Sequence, residues 1–222
     1  MISAILICID YDDFFSFSAP TLVKAFDRVI VITEENQESV IHICRQHGFE
    51  TVFSRQKNYR GLKFNLPALL NDGIRQKKLN DWICKIDSDI YFPDGMKDVL
   101  KNEVKDIHSI YYTNRYFCET PEILRTYERT NDFSVLEPPY EETTDVLGFV
   151  QLFNLNSIYL KNVEFPYEQE FYAPPSFTND RIFSQQWPVH LRTMLSKNVI
   201  HLGLEAIGTN WFGRKSQKFT LT

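Results

Sequence analysis

With 222 residues, 43% of them hydrophobic, the chain can fill the core of one α/β domain of the larger sort. A formal charge of −5 with no Lys/Arg block argues against the basic surface that tight, non-specific DNA binding needs. Cys8, Cys44, Cys84 and Cys118 stand far apart with no CxxC pair, which predicts reduced core thiols in a cytoplasmic protein, not disulfides or a zinc site.

Residues 2–9 are a near-continuous apolar run, the pattern of a strand covered on both faces; it is too short for a membrane span and has no basic leader, so it reads as a strand and not a signal peptide. Residues 29–33 give a second strand. Over 34–47, Val40, Ile43, Cys44 and His47 recur at helical spacing, with Gly48 as the stop. Residues 51–53 make a short third strand. Leu62, Leu66, Leu69, Leu70 and Ile74 then form one helical stripe, in which Pro67 is tolerable only near the first turn. Residues 82–86 (WICKI) are the fourth strand. This β-α-β-α-β-α-β order predicts a mostly parallel central sheet flanked by helices, with the ligand crevice outside the carboxyl ends of the strands.

Past that point the rhythm breaks. Residues 108–112 and 146–154 read as strands, separated by a polar and aromatic segment, 113–145, that reads as irregular. Another irregular stretch, 164–178, holds Pro166, Pro174 and Pro175. Long segments without regular structure in a compact domain are usually lids or binding loops. No linker or repeat divides the chain, so one domain over 1–222 is expected, with 1–112 as its first half and 113–222 as its second.

Asp87-Ser88-Asp89 follows the fourth strand directly and falls at the expected crevice. Two carboxylates at i and i+2 repel unless a cation sits between them, and hard oxygen ligands suit Mg²⁺ or Mn²⁺, which in turn hold phosphate oxygens. The tripeptide alone is weak, since chance supplies roughly one DxD in such a chain. A second one, Asp10-Tyr11-Asp12, follows the first strand. The plainer reading of Asp87 and Asp89 is a turn with a helix cap.

The order of fragments resembles an A-type (GT-A fold) glycosyltransferase over nearly the whole chain: AILICIDYDDFF, FDRVIVITEEN, ICRQHGF, FNLPALLNDGI, DWICKIDSDIYFPD, GFVQLFN, TNDRIFSQQWP and VIHLGLEAIGTNWFGR. The resemblance implies a metal-dependent transferase that moves a sugar from a nucleotide-sugar, UDP-linked by analogy, to a hydroxyl acceptor. Asp89 would be the direct metal ligand, with Asp87 either ligating too or bridging to the ribose. His201, in VIHLG, would complete the shell as in glycogenin-like enzymes; otherwise it is a satisfied histidine at a strand end. Asp10 and Thr33 would flank base or ribose, or serve ordinary turns. Arg60, Lys63, Asn65 and the helix N-terminus after it would reach the diphosphate. Trp211, Arg214 and Lys215 would form a tail over the donor phosphates. Asp180 in TNDRIF would be the base of an inverting mechanism, or else a helix N-cap; retention follows if it is structural.

Other classes compete. In a haloacid-dehalogenase phosphatase Asp10 would be nucleophile, Asp12 acid, and Lys63 or Lys85 the phosphate clamp, but Phe14 stands where that family has Thr or Val. Sugar-phosphate nucleotidyltransferases share the fold, yet their Gly-rich, Arg-bearing loop after the first strand is missing. A non-catalytic nucleotide-sugar-binding module is the third alternative. The acceptor is expected to be a glycan, with a hydroxylated DNA base as the other option; Tyr116, Phe117, Phe133, Tyr140, Phe171 and Tyr172 would stack on it or pack loops.

Overall fold

A computed structural model describes residues 1–61, 64–138, 146, 148–162, 166–167, 177–203 and 218–221, with side chains for all of these except 59–61 and 177–179. The first half alternates strand and helix: β1 (Ile2–Ile7), α1 (Asp12–Ala25), β2 (Arg28–Thr33), α2 (Glu38–His47), β3 (Glu50–Phe53), α3 (Leu66–Gln76) and β4 (Trp82–Asp87). The rest runs β5 (Ile90–Tyr91), α4 (Met96–Glu103), β6 (Ile110–Tyr112), β7 (Arg115–Cys118), α5 (Pro121–Thr130), β8 (Val150–Asn154), α6 (Phe177–Ser184), β9 (Arg192–Met194) and β10 (Val199–Leu202).

Seven strands form the main sheet in the order β3-β2-β1-β4-β8-β6-β9, and β5-β10-β7 form a smaller one. β1 pairs in parallel with β2 and β4, and β2 with β3. β8 is antiparallel to both β4 and β6, while β9 is parallel to β6. The sheet is therefore mostly parallel and flanked by helices, as the alternation predicts.

Both faces are buried because successive side chains point to opposite sides. Ala4, Leu6, Val29, Val31, Cys84 and Ile86 pack with Phe15, Ala19 and Leu22 of α1 and with Val40 and Cys44 of α2. Ile5, Ile30, Ile32 and Ile83 face Leu66, Leu69, Leu70 and Ile74 of α3, joined by Phe153, Phe183 and Trp187. A fully buried Leu or Ile is worth about 1.5–3 kcal/mol over an exposed one, so this two-sided sheet is the main source of stability.

α2 ends at Gly48 in the left-handed region, φ +69°, where a side chain would be strained. Pro67 does fall in the first turn of α3, where its missing N–H costs no helical hydrogen bond. The segment 113–145 is not irregular throughout: it holds β7 and α5, the latter capped by Thr120, which accepts from the Ile123 N–H, with Pro121 next. No helix among the described residues is long and apolar enough to cross a membrane.

Candidate functional site

β1 lies between β2 and β4, so the chain leaves it in one direction first and returns on its other side. That reversal is where open α/β sheets form their ligand crevice. Asp87 is the last residue of β4, in register with Ile7 of β1, and its N–H donates to the Phe149 carbonyl at 3.1 Å. The turn after it is pinned from two sides: Ser18 Oγ donates to the Ser88 carbonyl at 2.6 Å, and the Leu202 N–H donates to the Asp89 carbonyl at 2.9 Å.

The small sheet brings in the imidazole. β10 pairs with β5 so that His201 lies opposite Ile90, and its Nε2 comes 3.6 Å from Asp89 Oδ2. His201 Nδ1 lies 3.4 Å from the Gly203 carbonyl, and its ring stands 5.6 Å from that of Phe117. The Asp89 side chain is 14% exposed, and its buried Oδ1 has no hydrogen-bond partner among the described residues. Burial, then the neighbouring charge of Asp87, pushes its carboxyl up to about 7, against the pull of Arg115 and Lys85. Arg115 lies over the rings of Phe149, at 4.4 Å, and Phe117, at 4.9 Å.

An acid held in this condition suits a divalent cation, which would satisfy the orphaned oxygen and replace the missing counter-charge. Asp89 and His201 together offer an oxygen and an imidazole nitrogen to Mn²⁺. Among the described residues, however, no three His, Cys, Asp or Glu side chains converge as a ready metal cluster. Asp87 is held from the other side, its Oδ1 accepting from Lys85 Nζ at 2.7 Å.

Lys85 lies within the fourth strand, and the sequence alone offers it a role only as the phosphate clamp of a phosphatase. It is almost fully buried, and its ammonium also donates to the Gly148 carbonyl and lies 3.8 Å from Asp180 Oδ1. Burial alone would push the ammonium's pKa down; the charges of Asp180 and Asp87, with the Asp87 hydrogen bond, hold it above its ordinary value. The detectable signal was a lone cation amid WICKI, since a lysine is almost never fully buried unpaired. Gly148 carried no such signal: a Cβ there would overlap the Asp180 carboxylate.

Asp180 sits in the first turn of α6, three residues past its start, and so is not the N-cap residue expected from TND. Its backbone carbonyl accepts from Gln151 Nε2 at 3.2 Å. Asp10, exposed and left-handed at φ +62°, exchanges hydrogen bonds with the Gln37 side chain. Thr33 is fully buried and its hydroxyl donates to the Cys8 carbonyl at 2.7 Å, which locks β1 to β2. Asn65 caps α3 by accepting from the Ala68 N–H at 3.0 Å. Arg60 lies in a 3-10 turn over Gln56–Gly61, and its side chain is outside the described residues. Lys63, Trp211, Arg214 and Lys215 lie outside them altogether, as do Tyr140, Phe171 and Tyr172. Of the other aromatic candidates Phe117 is buried, and Tyr116 packs on Phe133 with centroids 4.9 Å apart. Asp12 opens α1.

No family model and no curated protein matches the chain. Solved structures do. The mannosyltransferase PcManGT from Pyrobaculum calidifontis, in complex with GDP-Man and Mn²⁺, aligns over 94% of this chain and 57% of its own at TM-score 0.55 and 12% identity. TarS of S. aureus aligns over 92% of this chain and 37% of its own at TM-score 0.56 and 11% identity. A putative glucose-1-phosphate thymidylyltransferase from Bacillus anthracis, in complex with a sucrose, aligns over 89% and 87% at TM-score 0.51 and 11% identity. The chain thus spans little more than half the length of the first and well under half of the second. At such identities the likeness establishes the fold, which is the GT-A-type α/β fold of nucleotide-sugar glycosyltransferases.

Proposed function

We propose that this chain is a metal-dependent glycosyltransferase, moving a sugar from a nucleoside-diphosphate sugar, with UDP as the carrier, to a hydroxyl of a glycan acceptor. The observation that carries this is Asp89: an under-satisfied buried acid beside His201, at the strand ends where an open α/β sheet forms its ligand crevice. In this reading Asp89 and His201 hold Mn²⁺ or Mg²⁺, with Asp87 offering its second oxygen to the cation or the donor ribose. The cation, when bound, takes up charge that develops on the departing diphosphate.

The chain's own residues do the rest. Arg115, next to Asp89 and braced by two rings, offsets part of the charge of the two acids. Asp180 takes the acceptor's hydroxyl proton, a role that requires its carboxylate within reach of that proton. Orientation of acceptor oxygen against anomeric carbon supplies the remaining rate gain. Arg60, Lys63, Trp211 and Arg214 are kept as donor-phosphate contacts by resemblance alone. Asn65 and Thr33 contribute by holding the helix and the strand ends at the crevice.

A second reading follows from the thymidylyltransferase likeness: transfer of a nucleotide to a sugar phosphate. The two differ in product. A nucleotidyltransferase releases pyrophosphate from a nucleoside triphosphate and sugar-1-phosphate; a glycosyltransferase slowly hydrolyses a sugar nucleotide with Mn²⁺. Calorimetry with Mn²⁺ and UDP, UDP-glucose or GDP-mannose tests the proposal on the intact chain. We expect metal-dependent binding that Asp89→Ala abolishes while circular dichroism and melting are preserved; undiminished affinity in Asp89→Ala would remove the proposed ligand.

A further inference from the structure

We propose that Lys85 is a positioning residue of this site, a buried ammonium that ties the acid at the end of β4, Asp87, to Asp180 on α6. The inference rests on the glycosyltransferase reading and adds to it the device that sets the spacing between donor-side and acceptor-side carboxylates.

A lysine in mid-strand on a buried sheet face is costly: the ammonium leaves water, and Ile83 and Phe153 beside it on that face are apolar. Fold stability alone would be served as well by an apolar side chain of similar volume. The position is instead built for a cation. Residues i and i+2 of a strand share a face, so Lys85 and Asp87 meet directly at 2.7 Å. The same ammonium donates to the Gly148 carbonyl and stands 3.8 Å from Asp180 Oδ1.

The neighbouring strand closes the grip. Gln151 is the register partner of Lys85 on β8, and it donates to the Asp180 backbone carbonyl. Gly148 lets the Asp180 carboxylate rest on bare backbone. Adjacent residues of β4 and β8 therefore hold both ends of one helical residue, side chain and main chain. An α-helix packed on a sheet by apolar contacts alone can shift by a fraction of an ångström, and displacements of about 1 Å near a reacting centre cost about 10²-fold in rate. The Lys85 bridge removes that freedom.

A double-mutant cycle on Mn²⁺-dependent hydrolysis of UDP-glucose, with water as acceptor, tests this. Lys85→Met, close to isosteric, is expected to lower kcat about 10²-fold with KM for UDP-glucose within about 3-fold. In an Asp180→Asn background the same substitution is expected to change kcat by less than about 3-fold, because the base that the ammonium positions is gone. An equal loss in both backgrounds, or a change confined to KM, overturns the positioning role. Should Lys85→Met fail to fold, Lys85→Gln enters the same cycle, keeping a polar donor without the charge. Wild-type protein with no Mn²⁺-dependent turnover of UDP-glucose or GDP-mannose sinks the glycosyltransferase reading itself, a result distinct from additivity in an active enzyme.

Discussion

Asp89 and His201 face each other at 3.6 Å although one ends the turn after β4 and the other lies in β10. The pairing of β10 with β5 imposes this meeting, and the Leu202 N–H reinforces it by bonding the Asp89 carbonyl. The carboxylate and the imidazole are thus brought together by backbone hydrogen bonds of the turn and of the small sheet.

His201→Ala is expected to weaken Mn²⁺ affinity about 10- to 100-fold, the usual scale for disturbing a ligand set. The loss of one buried ring beside Phe117 also lowers the melting temperature. Electron paramagnetic titration of Mn²⁺ reads the first effect separately from the second. An unchanged metal isotherm returns His201 to the core.

Gly148→Ala should be damaging despite its small size. The new methyl group collides with the Asp180 carboxylate, so α6 must move or Asp180 must rotate off Lys85. Overpacking of this kind costs about 1–3 kcal/mol. We expect kcat to fall at least about 10-fold for the same displacement. Chemical denaturation and steady-state kinetics on one preparation check both.

Thr33→Val removes the hydroxyl that donates to the buried Cys8 carbonyl. Leaving that oxygen unsatisfied costs about 1–3 kcal/mol, read as a lower denaturation midpoint. Nucleotide affinity should stay unchanged, since the hydroxyl is committed to the strand end. A specific loss of nucleotide binding at unchanged stability would restore Thr33 as a direct contact.

Glu50 gives a pH dependence away from the site. The Arg28 hydrogen bond, joined by that of Lys77 and by both positive charges, outweighs burial and holds its carboxyl down at about 2, against an ordinary 4.5. A lowered folded-state value means the stabilisation is present above the ordinary value and fades as pH falls towards 2. The pair is partly exposed, so its worth is about 1 kcal/mol. Glu50→Gln is expected to lose that amount near neutrality and to show a shallower decline in stability between about 4.5 and 2. Parallel acid-denaturation curves for the two proteins would refute it.

How much of this was legible in the sequence depended on burial. β1, β2 and β4 are covered on both faces, so they are written as largely apolar runs. α5 was missed because only one narrow stripe is buried, Pro121, Leu124 and Tyr127, while Glu122, Arg125, Glu128 and Arg129 dilute it; Thr120-Pro121 was the overlooked start signal. β9 is a three-residue edge strand with Arg192 part-buried and Thr193 and Met194 exposed, with no periodicity to read. At the site, the strand-end acids were legible because topology fixes where strands end. The roles of Lys85 and Gly148 were not, because each depends on Asp180 arriving from a helix far along the chain. The base-or-cap alternative for Asp180 turned on where α6 begins, and an N-terminal boundary is the least certain part of a periodic pattern.

The junction between the two sheets has a bearing on biosynthesis. Elements leave the ribosome amino end first, so the strands bearing Asp87 and Asp89 can settle while the β10 residues are still in the exit tunnel. A nascent chain at that stage holds its acids without their imidazole, and the proposed cation site would be complete only after the last strand of the small sheet has docked.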